Sequence, residues 1–367
     1  MPRGTLGPIR LSLGDDAPLE VGTDYFLVQV VAAQALISQG LIERWFYPAR
    51  HVVVTSEVSL DAGAERLKLE GLQATRPISS GEGALMAIER NIIHLSPARA
   101  ASFRLVFTYW MTTDDRIGQF GNLVRDDPAM RVAFGLAPAQ IAVAQAVSGL
   151  VGKVLNVFLQ REERQPLLQF EGDFNLAAGT VLPGRHAFIS NAGTPEVSLA
   201  LDPNKLSFKD KRLHYQERTI DHLSYAVLSI ERVPVRGPNA SPESRWYGKL
   251  QQARQLGTRA ESLRNTPKEL EKLRTEIREL IEGAQKLLHE DKRYHDWEAE
   301  LIIKDAILLA QEQLTKGETT PLTEKLGAAE DAKREWIKQF NFEPSTEFIQ
   351  SVEAYRQRCA RVHSAAA

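Results

Sequence analysis

Apolar and polar positions alternate in short runs through most of the first 240 residues, and beyond them the apolar spacing lengthens to a helical one. Ile9-Arg-Leu-Ser-Leu13 opens the pattern as a strand. His51–Ala62 and Glu65–Thr75 flank Asp-Ala-Gly-Ala and predict a hairpin. In its second arm Leu67, Leu69 and Gly71 alternate with Arg66, Lys68 and Glu70, one face packing and the other wet. Ala84–Leu95 and Ser102–Met111 are expected as a second pair joined across Ser-Pro-Ala-Arg, the latter apolar enough for a central strand. Leu167–Leu176, Arg185–Ser190, Glu196–Leu201, Lys211–Gln216 and His222–Val233 follow as strands between Gly, Pro and Asn punctuation. After Thr23-Asp24, the spacing of Phe26, Val30, Ala33, Ile37 and Leu41 predicts one helical face, although the core FLVQVV also suits a buried strand.

The longest apolar run is Leu136–Gln160, with Lys153 as its only charge. As a helix it would be roughly 37 Å long, enough to cross a bilayer. At 100° per residue, Val143, Val147, Leu150, Val151, Val154, Val157 and Phe158 share one face. Gln145, Gly152, Asn156 and Gln160 fall opposite, with Ser148 and Lys153 more loosely placed. Such sorting favours a helix packed on a sheet over one facing lipid, and Pro138 fits its first turn. A membrane-associated or pore-forming role through 136–160 stays as the alternative.

Three prolines and a glycine within Pro234–Pro242 mark a boundary. Before it, 49 of 240 residues are charged; from 241 onward, 43 of 127 are. The later region reads as helical. Leu263, Leu270, Ile277 and Ala284 occupy one heptad position, and Leu273, Leu280 and Leu287 the other. The strong helix is expected from Pro267 to His289, a second from Tyr294 to Lys316, and two more over Leu326–Phe340 and Thr346–His363.

The expected class is therefore α+β: a mainly antiparallel, sandwich-like domain over 1–235 with one or two helices, a linker over 236–242, and a coiled-coil-like helical hairpin or bundle over 243–367. A net charge of −2 and interleaved acids and bases argue against nucleic acid. One cysteine, Cys359, and no apolar stretch near the N-terminus point to a reducing, cytoplasmic setting.

Chemistry is sparse. Gly152-Lys153 fails as a phosphate loop, because Val147 and Val154 stand where a glycine and a hydroxyl are needed. No nucleophile elbow, zinc-protease motif or second cysteine is present. His214, Glu217, Asp221 and His222 cluster in HYQERTIDH without a ligand spacing, and read as structural or surface residues. Asp15-Asp16, Asp114-Asp115 and Asp126-Asp127 fall in loops; calcium would suit the latter two pairs, while turns commonly carry Asp. No cofactor or metal is expected. The reading that remains is a non-enzymatic adaptor or scaffold. It binds a partner protein or a second copy through Leu263, Leu270, Leu273, Ile277, Leu280 and Leu287.

Overall fold

The computed structural model describes residues 5–11, 17–36, 50–62, 65–78, 84–98, 102–113, 168–191, 200–263, 266–315 and 331–366. The run 136–160 and the aspartate pairs at 15–16, 114–115 and 126–127 lie outside them. The chain is mixed, with antiparallel sheets and helices, and forms two compact units, Met1–Val233 and Pro234–Ala367.

In the first unit, β1 (Thr5–Leu11), β2 (Tyr25–Ala35), β5 (Ala84–Pro97), β8 (Gly184–Ser190) and β12 (Ser224–Val233) make a five-stranded sheet ordered β1-β8-β12-β2-β5. A second sheet, β4-β3-β6-β7, uses β3 (Arg50–Ala62), β4 (Glu65–Ile78), β6 (Ser102–Thr113) and β7 (Leu168–Asn175). The expected hairpin is present as β3 and β4, with Ala62 opposite Glu65. β4 lies against β5, and β7 against β1, so each edge of one sheet meets an edge of the other.

Two expectations are corrected. The segment after Asp24 is strand β2, not a helix. Phe26, Val28 and Val30 face one core, and after a register shift between Val30 and Ala32 the odd positions Ala33 and Ala35 take over that face. The bulge converts a two-residue period into apolar positions that also fit a helix. Its second face carries the half-buried Leu27, Gln29 and Val31, of which only Gln29 is polar, so the polar alternation is too weak to reveal it. The second correction concerns β5 and β6, which do not pair with each other: β5 pairs with β2, and β6 with β3 and β7. The Ala98 amide donates to the Asp24 carbonyl at 2.9 Å, holding the end of β5 to the approach of β2 while the chain crosses to the other sheet. Glu196–Leu201, expected as a strand, lies mostly outside the described residues, and 200–201 are not extended in a ladder.

The main core draws from both sheets. Phe26, Val28, Leu228 and Ile230 meet Val54, Phe103, Phe107, Tyr109, Phe170 and Phe174. Gly172 on β7 leaves room for Phe188, whose ring would stand 2.7 Å from a Cβ there. The opposite face of the five-stranded sheet carries Ala32, Ala187, Ile189, Tyr225 and Val227. It is covered by a small sheet ordered β11-β10-β9, of β9 (Leu206–Lys209), β10 (Arg212–Tyr215) and β11 (Arg218–Thr219), through Leu206, Leu213 and Ile220. Its two tight turns place Asp210, Lys211, Gln216 and Glu217 at positive φ, as paired left-handed turn residues require. Gln34 is buried in β2, and its amide donates to the carbonyls of Ile220 and Leu223 at 3.0 and 2.9 Å.

The second unit contains α1 (Arg245–Arg259), α2 (Pro267–His289), α3 (Asp296–Thr315), a helical stretch over 331–338, and α4 (Thr346–Ala366). Sequence spacing did not foretell α1. Its inward face runs through Trp246, Leu250, Ala253, Gly257 and Ala260, and three of these five are small, so the stripe is weakly apolar in sequence. The first turn of α3 follows Tyr294 and His295, and farther along Lys304 pairs with Glu300 at 2.6 Å while its ammonium lies over the Phe342 and Phe348 rings.

Candidate functional site

In the second unit, polar groups converge on the segment through which the chain enters it. Val235 is buried with Trp246 and Tyr294 in the helical core. Gly237 takes φ +78, and Pro238–Ala240 form a single 3-10 turn. From the first turn of α3, Glu298 reaches this segment with its side chain wholly buried, at 0% exposure. The Arg236 amide donates to Oε1 and Oε2 of Glu298 at 3.0 and 3.2 Å, and the Gly237 amide to Oε1 at 2.8 Å. On α4, the Tyr355 hydroxyl donates to the same Oε1 at 3.2 Å. Tyr294 donates to the Gly237 carbonyl at 3.0 Å, and the Arg236 guanidinium lies 5.2 Å from the Tyr294 ring centre.

Buried carboxylates are costly unless hydrogen-bonded, and Glu298 is satisfied by two amides and a phenol. Burial, reinforced by the Glu298 charge, pushes the Tyr355 phenol far above its ordinary range. The Tyr355 hydroxyl also meets the Cys359 thiol. Burial pushes that thiol up, the charges of Glu298 and Asp305 push the same way, and the contact with Tyr355 opposes them. A thiol held protonated is a poor nucleophile, so this row of groups does not assemble a reactive cysteine. Cys359 and Tyr355 border an open cavity of about 240 Å³, which Pro238, Asn239, Asp305 and Arg356 also line. Arg356 and Asp305 are themselves an ion pair at 2.5 Å.

Beside this row stands a second hub in the loop before α3. Asp291 accepts from the Trp246 indole at 2.9 Å, from the Arg293 amide at 3.1 Å, and from Arg293 Nε and Nη2 at 2.8 and 2.7 Å. Arg293 Nη1 reaches Glu243 at 2.8 Å. Burial works against the charged carboxylate, but the hydrogen bonds from Arg293 and Trp246 prevail and hold Asp291 below its usual value. Its stabilising contribution is therefore intact above about pH 4 and is lost as pH falls through the lower folded value. Replacing Arg293 by Gln is expected to move the acid-unfolding midpoint of this unit to higher pH. Tryptophan fluorescence during acid titration reads the shift, and an unchanged midpoint would refute it.

The six predicted interface residues divide. Leu273 and Ile277 are buried in the core of the helical unit, with Ile281, Ala284 and Leu288 completing the inward face of α2. Leu263, in the 3-10 turn Ala260–Leu263, and Leu270, Leu280 and Leu287 on α2 are half-buried at its margin. Of the histidine and carboxylate cluster, His214 stands on β10 opposite Thr219, Glu217 occupies a turn tip, and Asp221 lies 3.7 Å from Arg212. Among the described residues no group of three or more His, Cys, Asp or Glu is arranged to hold a metal ion.

Sequence reasoning missed Glu298, Tyr355 and Asp291. One signal was available for Glu298: it lies four residues before Ile302 and so shares the apolar stripe of α3, where a carboxylate needs a partner. Nothing local in sequence marks which backbone amides it serves. No protein-family model matches the chain, and comparison with curated proteins and with solved structures likewise finds no match. Among the described residues, no helix is long and apolar enough to cross a membrane.

Proposed function

We propose that the chain is a non-enzymatic interaction protein, an adaptor or scaffold working in the cytoplasm. In this reading a sandwich-like domain over 1–235 and a helical bundle over 243–367, joined through 236–242, present separate surfaces. The helices bind a partner protein or a second copy. The observation that carries the reading is the leucine row: after α2 has closed its own core with Leu273, Ile277, Ile281, Ala284 and Leu288, Leu270, Leu280 and Leu287 pack against the margin of that core and stay only partly buried. Heptad-spaced leucines left at a helix margin suit a second helix laid alongside. The polar groups of the Glu298 row support the reading too, because they serve backbone amides and one another rather than an open reaction centre.

Light scattering on the full chain across a concentration series tests this. The wild type is expected above the single-chain mass of 41.0 kDa, and the Leu280→Glu, Leu287→Glu double variant at that mass with its helical circular dichroism retained. Glutamate is close to leucine in helix propensity, so the helix itself is spared. A wild type of single-chain mass at every concentration would remove self-association, and an unchanged mass in the double variant would remove these leucines from the interface.

A further inference from the structure

We propose that residues 236–240 form a latch, fastened by Glu298, which opens locally while the helices around it stay folded. This goes beyond the interaction reading and concerns the helical unit alone. The fastening is concentrated. Glu298 alone receives the amides of both Arg236 and Gly237, at 2.8–3.2 Å. Tyr294 adds one bond to the Gly237 carbonyl, at 3.0 Å. The turn's own backbone bonding is local and long, from the Ala240 amide to the Gly237 carbonyl at 3.4 Å. On α1 the Tyr247 hydroxyl donates to Asn239 Oδ1 at 3.1 Å, so the segment is held by one carboxylate and two phenols and comes free when these few side chains let go.

The hinge is Gly237, whose φ of +78 lies where glycine is adopted at little cost, and which can therefore swing to negative φ without a side chain to obstruct it. Val235 and Ser241, buried at 1% and 0% exposure, bracket the moving stretch as fixed ends. Behind the latch is the cavity. Pro238 and Asn239 form part of its wall, and Tyr355 and Cys359 line it with them. Lifting the latch moves that wall, so opening widens the cavity and uncovers more of the half-buried Cys359 thiol. Tyr355 is bonded to the same Glu298 Oε1 that holds Gly237, so it steadies the clasp from the far side.

Hydrogen exchange of the full chain, with Cys359 labelling by iodoacetamide in parallel, tests the latch. In the wild type, the amides of Arg236 and Gly237 are expected to exchange at least about tenfold faster than that of Ile281 on α2, and with weak urea dependence, as a local opening requires. Glu298→Gln is expected to speed those two amides and the labelling of Cys359 by roughly a further tenfold, the worth of about one hydrogen bond, while Ile281 changes less. Tyr294→Phe leaves the carboxylate in place and provides a milder variant with the same pattern, should Glu298→Gln fold poorly. The proposal is overturned if Arg236, Gly237 and Ile281 share one rate and one urea dependence. It is also overturned if either variant speeds all three alike, or if the amides quicken and thiol labelling does not.

Discussion

Glu298→Ala is expected to destabilise the helical unit by at least about 3 kcal/mol, a large part of the 5–15 kcal/mol typical of a folded protein. The substitution removes the acceptor of three donors at once. The Arg236 amide, the Gly237 amide and the Tyr355 hydroxyl remain where they were, with nothing to bond. A buried donor stripped of its partner costs about 1–3 kcal/mol, and the methyl of alanine leaves a cavity in which these groups face one another. The effect should be graded. Tyr355→Phe deletes a donor and leaves the carboxylate with its amides, so about 1 kcal/mol is expected. Urea unfolding followed by tryptophan fluorescence reads both, because Trp246, Trp297 and Trp336 all belong to the helical unit. A cost below about 1 kcal/mol for Glu298→Ala would mean that the segment at Arg236 and Gly237 is not held as described.

Phe103→Ala is expected to cost the β-rich unit about 3–5 kcal/mol. Phe103 is 1% exposed on β6 and stacks between two rings from different strands, Phe26 at 5.6 Å and Phe174 at 4.7 Å. Phe26 belongs to the five-stranded sheet and Phe174 to the four-stranded one, so the ring binds the two sheets together. Its loss leaves a void bounded by backbone ladders that cannot collapse freely. Tyr109→Phe serves as the comparison: it keeps the ring and loses only the 2.9 Å bond from its hydroxyl to the Tyr225 carbonyl, at a cost of about 1 kcal/mol. Denaturant midpoints followed by far-ultraviolet circular dichroism separate the two. A Phe103→Ala cost no larger than that of Tyr109→Phe would contradict the packing.

How much of this was legible in the sequence depended on whether one face of each element met water. β3 and β4 showed themselves through alternation and a glycine turn, and β10 and β12 through short runs bounded by turn residues. β2 did not, because its half-buried face carries Leu27 and Val31 with only Gln29 polar between them, and its bulge at Val30–Ala32 shifts the apolar positions onto a helical spacing. Local pattern could not assign β5 and β6 to separate sheets, since a four-residue connection reads as a turn wherever it leads. On α2 the leucine repeat was visible, but the inward face follows Leu273, Ile277, Ile281, Ala284 and Leu288 rather than a strict heptad. A straight helix turns every 3.6 residues, and this one packs within its own unit. The Glu298 row was the least legible. Its partners are two backbone amides some 60 residues upstream and a phenol 57 residues downstream, and distances of that kind are set by packing alone.

The position of β12 in the five-stranded sheet also fixes when that sheet can exist. β12 is the last strand of its unit in the chain, yet it lies at the sheet's centre, between β8 and β2. Its outermost partner strand, β1, pairs through β8, with Thr5 opposite Ser190. During synthesis the first strand must therefore wait for residues made near the end of the unit, and the sheet has no middle until Val233 has emerged. Loops that long close slowly, so this unit folds late and as a whole, whereas α1 and α2 can pair as soon as each is made. A nascent chain halted before Ser224 carries β2 and β8 with no strand to join them.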